Sequence, residues 1–392
     1  MITVIIVLIS LSLLVLFHEG GHFIFSRLSG ITVEEFGLGY PPRAIGLTKI
    51  KKTGKWKLFF GKNIPQEEHS IIYSLNWIFF GGFNKIKGEE GESEAADNFY
   101  AKPWWQRFIS LSGGVLMNVV LSIILFSICF MVGIPTAEEI KDLGKNAFIK
   151  ETGVQIIYIQ KNSPAEKAGL ILGDMILKID DQEIKKTTEI QDYLGKKVNQ
   201  EVKIKIRRGE RELDFKVIPQ KAKEIFAKED LEESILEKGV IGVRLAEVNV
   251  VSYPIHLAIW HGIKTTFITF WRIVEGVATI LKELVIKQKM VGEAIGVIGI
   301  ATFIGDAYQI GLVYLIQFVA LISVAIAVCQ LIPFPALDGG RLLFLIIEAI
   351  RGRAISRKTE ALVHSIGFTL LILLMIFITY RDLMRLGERL FK

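Results

Sequence analysis

His18-Glu19-Gly20-Gly21-His22 closes an apolar run that starts at Met1 and holds no charge before it. On a helix, residues i and i+4 share a face with Cβ atoms about 5–6 Å apart, so two imidazoles at this spacing can reach one ion. Zinc takes neutral imidazole nitrogen at roughly 2.0–2.1 Å and is usually four-coordinate, with one position kept open in hydrolytic sites. Glu19, beside the first histidine, is placed to act as general base on a water that the ion acidifies. Burying His, Glu and His at the end of a membrane span is costly, and such groups are functional by default.

A third protein ligand is then required, and Asp338 is the candidate. It lies in Gln330-Leu-Ile-Pro-Phe-Pro-Ala-Leu-Asp-Gly-Gly-Arg341, where Pro333 and Pro335 break an apolar run and Gly339-Gly340 loosen it again. Irregular backbone at membrane depth is tolerated where it is buried in protein or lines a water-filled cavity. A carboxylate presented there beside a cation meets that condition. The alternative reading makes Asp338 a helix cap where the chain re-enters the cytosol.

Composition agrees with a membrane setting. The chain has 392 residues, 51% of them hydrophobic and 22% charged, and a mean hydropathy of +0.42. An ordinary charged fraction with positive hydropathy means that the apolar residues are gathered into runs, which excludes a disordered chain, a disulfide scaffold and a simple cytosolic enzyme. The net charge of +6, from 47 basic and 41 acidic residues, fits basic loops facing anionic lipid and implies no nucleic-acid partner. Cys129 and Cys329 sit inside apolar runs and read as small buried hydrophobes.

The expected fold is a multi-pass α-helical membrane protein of about four spans, since each needs about 20 apolar residues. The spans are expected at 1–30, 106–137, 307–341 and 361–381. Residues 31–105 alternate like strands and hold Gly-rich turns, which suggests a membrane-associated β-hairpin region followed by a solvated acidic loop at Gly88–Asp97. Its basic residues, Arg43 to Lys62, favour the cytosolic side. Residues 250–290 are apolar but interrupted by His256, His261, Lys264, Arg272, Glu275 and Lys282, as in an amphipathic helix lying on the membrane. His69, His256, His261 and His364 are given no catalytic role.

Residues 150–222 are soluble in character. Asn162-Ser-Pro-Ala-Glu-Lys-Ala-Gly-Leu170, followed by Gly173-Asp174 and flanked by β-patterned runs, resembles an α+β PDZ domain, a module that binds peptide termini by strand addition. With His-Glu-x-x-His, Phe36-Gly-Leu-Gly-Tyr40, Gly81-Gly82-Phe83 and Pro-x-Pro-x-Leu-Asp-Gly-Gly, the chain resembles the site-2 protease family of intramembrane zinc metalloproteases. Within it, the closest likeness is to the regulator-of-sigma-E protease branch.

The resemblance implies Zn2+ held by His18, His22 and Asp338, and Glu19 as base. It further implies cleavage of single-pass transmembrane substrates near the cytosolic face of the cell (inner) membrane. These would be anti-sigma factors or signal-peptide remnants, already trimmed by an earlier cut. A PDZ domain on the outer side would gate access. Asn118 and Gln330 would serve the substrate or oxyanion, and Gly81, Gly82 and Phe83 would pair with unwound substrate. The chain departs from the family pattern at Gln330, where Asn is usual, and at Gly114, where Pro is usual, and it shows one PDZ domain. A catalytically silent PDZ-bearing adaptor, and a metallopeptidase with a later Glu ligand, are the competing readings.

Overall fold

The computed structural model describes residues 2–88, 95–136, 146–209, 211–226, 235–287, 296–353 and 355–390; most of the expected acidic loop at Gly88–Asp97 lies outside them. These residues divide into two units, residues 1–124, 264–305 and 319–392 in the first and residues 125–263 and 306–318 in the second.

The first unit opens with α1 (Ile2–Leu28), whose buried residues are Ser10, Leu14, His18, Gly21, His22 and Ser26. That is one stripe at helical spacing, made mainly of small and polar residues, while Ile2, Ile5, Leu8, Ile9 and Ile24 stay exposed. The chain continues into β1 (Val33–Lys49), β2 (Trp56–Phe60) and β3 (Ile72–Ile86). These form a three-stranded antiparallel sheet in the order β2-β1-β3, where a hairpin is expected. Gly37 of β1 has partners at both Phe83 and Ser74, so the β1–β3 pair folds over on itself. A buried Glu35–Arg43 ion pair ties the bend together. Trp56, Leu58, Phe60 and Trp77 stand exposed on the sheet.

Next, α2 (Trp104–Val132) crosses α1 at two glycines. A Cβ on Gly113 would lie 2.6 Å from the Gly21 carbonyl oxygen, an approach that only glycine allows. The helix stops short of the expected 137 because Gly133, at φ +127°, turns the chain into β4 (Ile134–Thr136).

In the second unit β4 joins β5 (Phe148–Ile159), β6 (Met175–Ile179), β7 (Gln182–Glu183), β8 (Val202–Arg208), β9 (Arg211–Val217) and β12 (Val243–Ser252). Their order is β4-β12-β5-β6-β8-β9, with β7 on β6. The short helices α3 (Pro164–Ala168), α4 (Thr187–Gly195) and α5 (Ala222–Ile225), and the pair β10 (Gln220–Lys221) and β11 (Gly239–Val240), complete it. Helix α3 reads directly from sequence: Ser163 caps it by accepting from the Glu166 N–H, Pro164 starts it, and Gly169 ends it at φ 86°. Alternate strand residues, among them Val154, Ile156, Ile176, Ile204 and Ile206, form a fully buried core.

The remaining helices are α6 (Ile255–Lys287), α7 (Val297–Ile310), α8 (Leu312–Leu331), α9 (Asp338–Arg351) and α10 (Arg357–Leu390). The single broken span expected over 307–341 is three elements. Gly311, at φ 154°, separates α7 from α8, and Pro333 and Pro335 end α8 because each lacks an N–H and disfavours helix in the residue before it. Among the described residues four helices, α1, α2, α8 and most of α10, are long and apolar enough to cross a membrane. The reading of both cysteines as buried holds for Cys129, whereas Cys329 is exposed on a helix of that kind.

Candidate metal centre

Two elements distant in sequence, α1 and α9, supply the centre, both in the first unit. His18 Nε2 and His22 Nε2 lie 3.3 Å apart, and Asp338 Oδ2 is 3.3 Å from the first and 3.2 Å from the second. The near-equilateral triangle has the size that three ligands of a four-coordinate ion would need at bond lengths of about 2.0–2.1 Å, which gives separations of about 3.3–3.4 Å. Asp338 does not act as a helix cap: the cap position of α9 is Leu337, and the Asp338 carboxylate faces the two imidazoles.

The outer contacts suit metal binding. His22 Nδ1 donates to the Ser110 carbonyl at 3.1 Å, which leaves the Nε2 lone pair facing the cluster. On His18 the Asn118 amide nitrogen lies 3.1 Å from Nδ1, while Asn118 Oδ1 is buried with no partner among the described residues. Turning that amide by half a rotation lets Oδ1 accept from Nδ1–H and gives His18 the same tautomer as His22. The donor set and its orphaned oxygen therefore fit a zinc ion.

Sequence reasoning missed what stands behind the rings. Gly114, noted only as a departure from the family pattern, faces both imidazoles; a Cβ there would lie 2.6 Å from His18 Cε1 and would collide with His22. Asn118 is fully buried, engages His18 and is not among the residues that line the cavity. Gln330 Oε1 accepts the Asp338 N–H at 3.3 Å. This ties the metal-facing residue back to α8.

A cavity of about 330 Å³ opens onto the cluster, lined by His18, Glu19, His22, Gln330 and Asp338 together with Tyr40, Asn84 and Arg341. Burial and the Glu19 charge push the Tyr40 phenol above its ordinary range, so it stands there as a hydrogen-bond donor. Of the expected substrate residues, Gly82 is nearest the base, since a Cβ on it would sit 3.5 Å from Glu19 Cγ. Gly81, at φ +91°, passes so close to the Tyr40 ring that a Cβ would lie 2.6 Å from it. Phe83 sits over Gly37.

Two imidazoles and a half-buried carboxylate within reach of one ion, with Glu19 beside them in a cavity, suit a metallopeptidase, and the sequence profile of Peptidase family M50 matches residues 6–374. The chain belongs to that family. This M50 peptidase is 27% identical over 447 residues to "Regulator of sigma-W protease RasP" of Bacillus subtilis (strain 168), covering 98% of this chain and 99% of that one. It is 29% identical over 450 residues to "Zinc metalloprotease RasP" of Oceanobacillus iheyensis, covering 98% and 100%. A solved PDZ domain of the SdrC-like protein from Listeria monocytogenes is 23% identical and covers 25% of this chain and 92% of its own, at a TM-score of 0.20. The M50 peptidase is a zinc metalloprotease and an integral membrane protein, as its family, its relatives' names and its four apolar helices together state.

Proposed function

We propose that this M50 peptidase is an intramembrane endopeptidase that cuts transmembrane segments of single-pass proteins near the cytosolic face. In this reading His18, His22 and Asp338 hold the zinc and Glu19 is the general base. The observation that carries it is the triangle of two imidazole nitrogens and one carboxylate oxygen, 3.2–3.3 Å on a side, two of whose corners come from a membrane-length helix.

Zinc bound there would polarise the scissile carbonyl and acidify a water. Glu19 would take a proton from the attacking water and pass it to the leaving amine. A helical substrate hides its carbonyls in i→i−4 bonds and has to unwind first. The free edge of β3 at Gly82–Ile86, beside Glu19, offers replacement hydrogen bonds by strand addition. Gln330 and Tyr40 are two of the cavity's donors that could serve a developing oxyanion.

The inserted domain, whose strand and helix order and Ser163-capped helix support a PDZ reading, would bind peptide termini outside and gate entry. The basic loops after α1 would lie in the cytosol, and α6 would lie along the bilayer, placing the enzyme in the cell membrane. Anti-sigma factors and signal-peptide remnants are the substrate classes in view, the former suggested by a relative named for regulating sigma-W.

The test is zinc analysis of detergent-purified protein, with cleavage of a transmembrane peptide by wild type and Glu19→Gln. Stoichiometric zinc with cleavage abolished in Glu19→Gln is expected. Full cleavage by that variant would sink the mechanism, and stoichiometric zinc in Asp338→Ala would remove Asp338 from the ligand set. Wild type that binds zinc and cleaves no membrane peptide would favour the silent adaptor.

A further inference from the structure

We infer that His364 is a positioning residue for Asp338: from α10 it holds the turn between Pro333 and Leu337 in the one shape that delivers the Asp338 carboxylate to His18 and His22. The inference rests on reading Asp338 as a metal ligand.

Four described residues other than glycine have a positive φ, namely Asn162, Asp180, Asn199 and Ala336. Asn and Asp tolerate this region through local side-chain hydrogen bonds, whereas alanine has no such means, so Ala336 at φ 84° is strained and must be held from outside. What holds it is its own N–H, which donates to His364 Nδ1 at 3.0 Å.

The other N–H groups of the turn are satisfied nearer at hand. Phe334 donates to the Ile332 carbonyl and Leu337 to the Phe334 carbonyl; Pro333 and Pro335 have no N–H to give. The Ala336 bond is therefore the one that fastens the turn to another helix. One turn further along α10, Gly367 lets Pro335 pack directly on the helix backbone, since a Cβ there would lie 2.7 Å from the Pro335 carbonyl carbon. The imidazole is steadied by the Phe344 ring at 5.5 Å. Its Nε2 is buried with no partner among the described residues, so the ring sits in an unfavourable place for a polar group and its hydrogen bonding is spent on Ala336.

With Gln330 drawing the Asp338 N–H from α8, the carboxylate is set by two braces from two helices. His364 stands outside the cavity lining and does not touch the reacting atoms.

The test uses the full chain in detergent, with zinc retention against a chelator and separate kcat and KM values for a transmembrane peptide. His364→Phe keeps an aromatic ring against Phe344 and removes the acceptor. It should release zinc at about 10-fold lower chelator and lose about 10-fold in kcat, with KM changed less than about twofold, as is usual for partners of metal ligands. His364→Asn places its Oδ1 where Nδ1 was and should stay within about threefold of wild type, while His364→Gln, whose oxygen reaches the Nε2 position, should resemble His364→Phe.

Ala336→Gly removes the strain, so His364→Phe should cost less in that background than in wild type. The inference is overturned if Asn and Gln at position 364 behave alike, if the Phe variant keeps zinc as wild type does, or if its cost is undiminished in the glycine background. Stoichiometric zinc in Asp338→Ala would instead remove the ligand reading beneath it, a failure distinct from loss of zinc in Asp338→Ala with His364→Phe unaffected.

Discussion

The stripe of α1 that holds the metal centre and the core of the inserted domain are built in opposite senses. In the domain, alternate strand residues such as Ile156, Ile204 and Ile206 are wholly buried, and Lys203 and Lys205 alternate with the last two along β8. In α1 the buried stripe is Ser10, Leu14, His18, Gly21, His22 and Ser26, with Leu14 its one aliphatic member, while Ile2, Ile5, Leu8, Ile9 and Ile24 face out. Water drives the first arrangement, because burying an apolar side chain gains about 1.5–3 kcal/mol. Lipid offers no such gain, so the membrane helices join through close glycine contacts and buried polar pairs such as Ser26 with Ser110 at 2.6 Å. An enzyme that needs polar catalytic groups inside a bilayer can place them there because that interface is already the polar one.

The comparison can be broken most directly at the base. Glu19→Gln leaves the packing intact and is expected to lower kcat by about 10²–10⁴, the ordinary contribution of general base catalysis, measured as cleavage of a transmembrane peptide in proteoliposomes. Residual activity within about threefold of wild type would mean that the buried polar stripe is structural.

Truncating Ile204 to alanine should destabilise the inserted domain by about 2–5 kcal/mol, whereas the same truncation of Leu370 should cost less than about 0.5 kcal/mol. Ile204 is fully buried and Leu370, on α10, is 54% exposed. Amide exchange on the intact chain reads the first and thermal unfolding in detergent the second. Equal costs would erase the contrast.

At the glycine contact, Gly114→Ala forces a methyl against both imidazoles and is expected to weaken zinc by about 10- to 100-fold in chelator competition. The same change at Gly20, where a Cβ would meet nothing within 4 Å, should leave zinc binding unaltered.

The smallest effect concerns pH. The hydrogen bonds that Lys87 and Thr32 give to Asp97 hold its carboxyl down at about 2. Because the folded value lies below the unfolded one, near 3.8, the carboxylate adds stability at neutral pH. That stability fades as pH falls from about 4 toward 2. Asp97 is exposed, so the gain is small and screened by salt. Asp97→Asn should flatten the acid limb of an unfolding curve in that window, and an unchanged curve would place the acid sensitivity elsewhere.

Much of the centre was legible because its parts are local. The His18–His22 spacing carries its own geometry on a helix, Pro333 and Pro335 announce a break in a span, and Ser163-Pro164 with Gly169 announce a capped short helix. The rest was not legible because it depends on partners far along the chain. Nothing near Gly114 says that it faces two imidazoles, since that depends on the crossing of α1 and α2 at Gly21 and Gly113. The resemblance implies a substrate or oxyanion role for Asn118, and no local pattern says that its amide meets a ring one hundred residues earlier. His364 reads from sequence as a histidine on the bundle-facing side of its helix with no catalytic role, and its bond from the Ala336 N–H joins residues 28 positions apart.

The sequence by itself determined the membrane setting, the two-histidine face and the carboxylate that could complete it, because helical periodicity and chain-breaking residues act within a few residues of themselves. Only the tertiary structure decided that Asp338 meets His18 and His22 within 3.3 Å, and which residues hold the three in place. That decision lies in the approach of α1, α2, α9 and α10, where missing side chains and single hydrogen bonds set the distances, and no local pattern encodes a distance between helices.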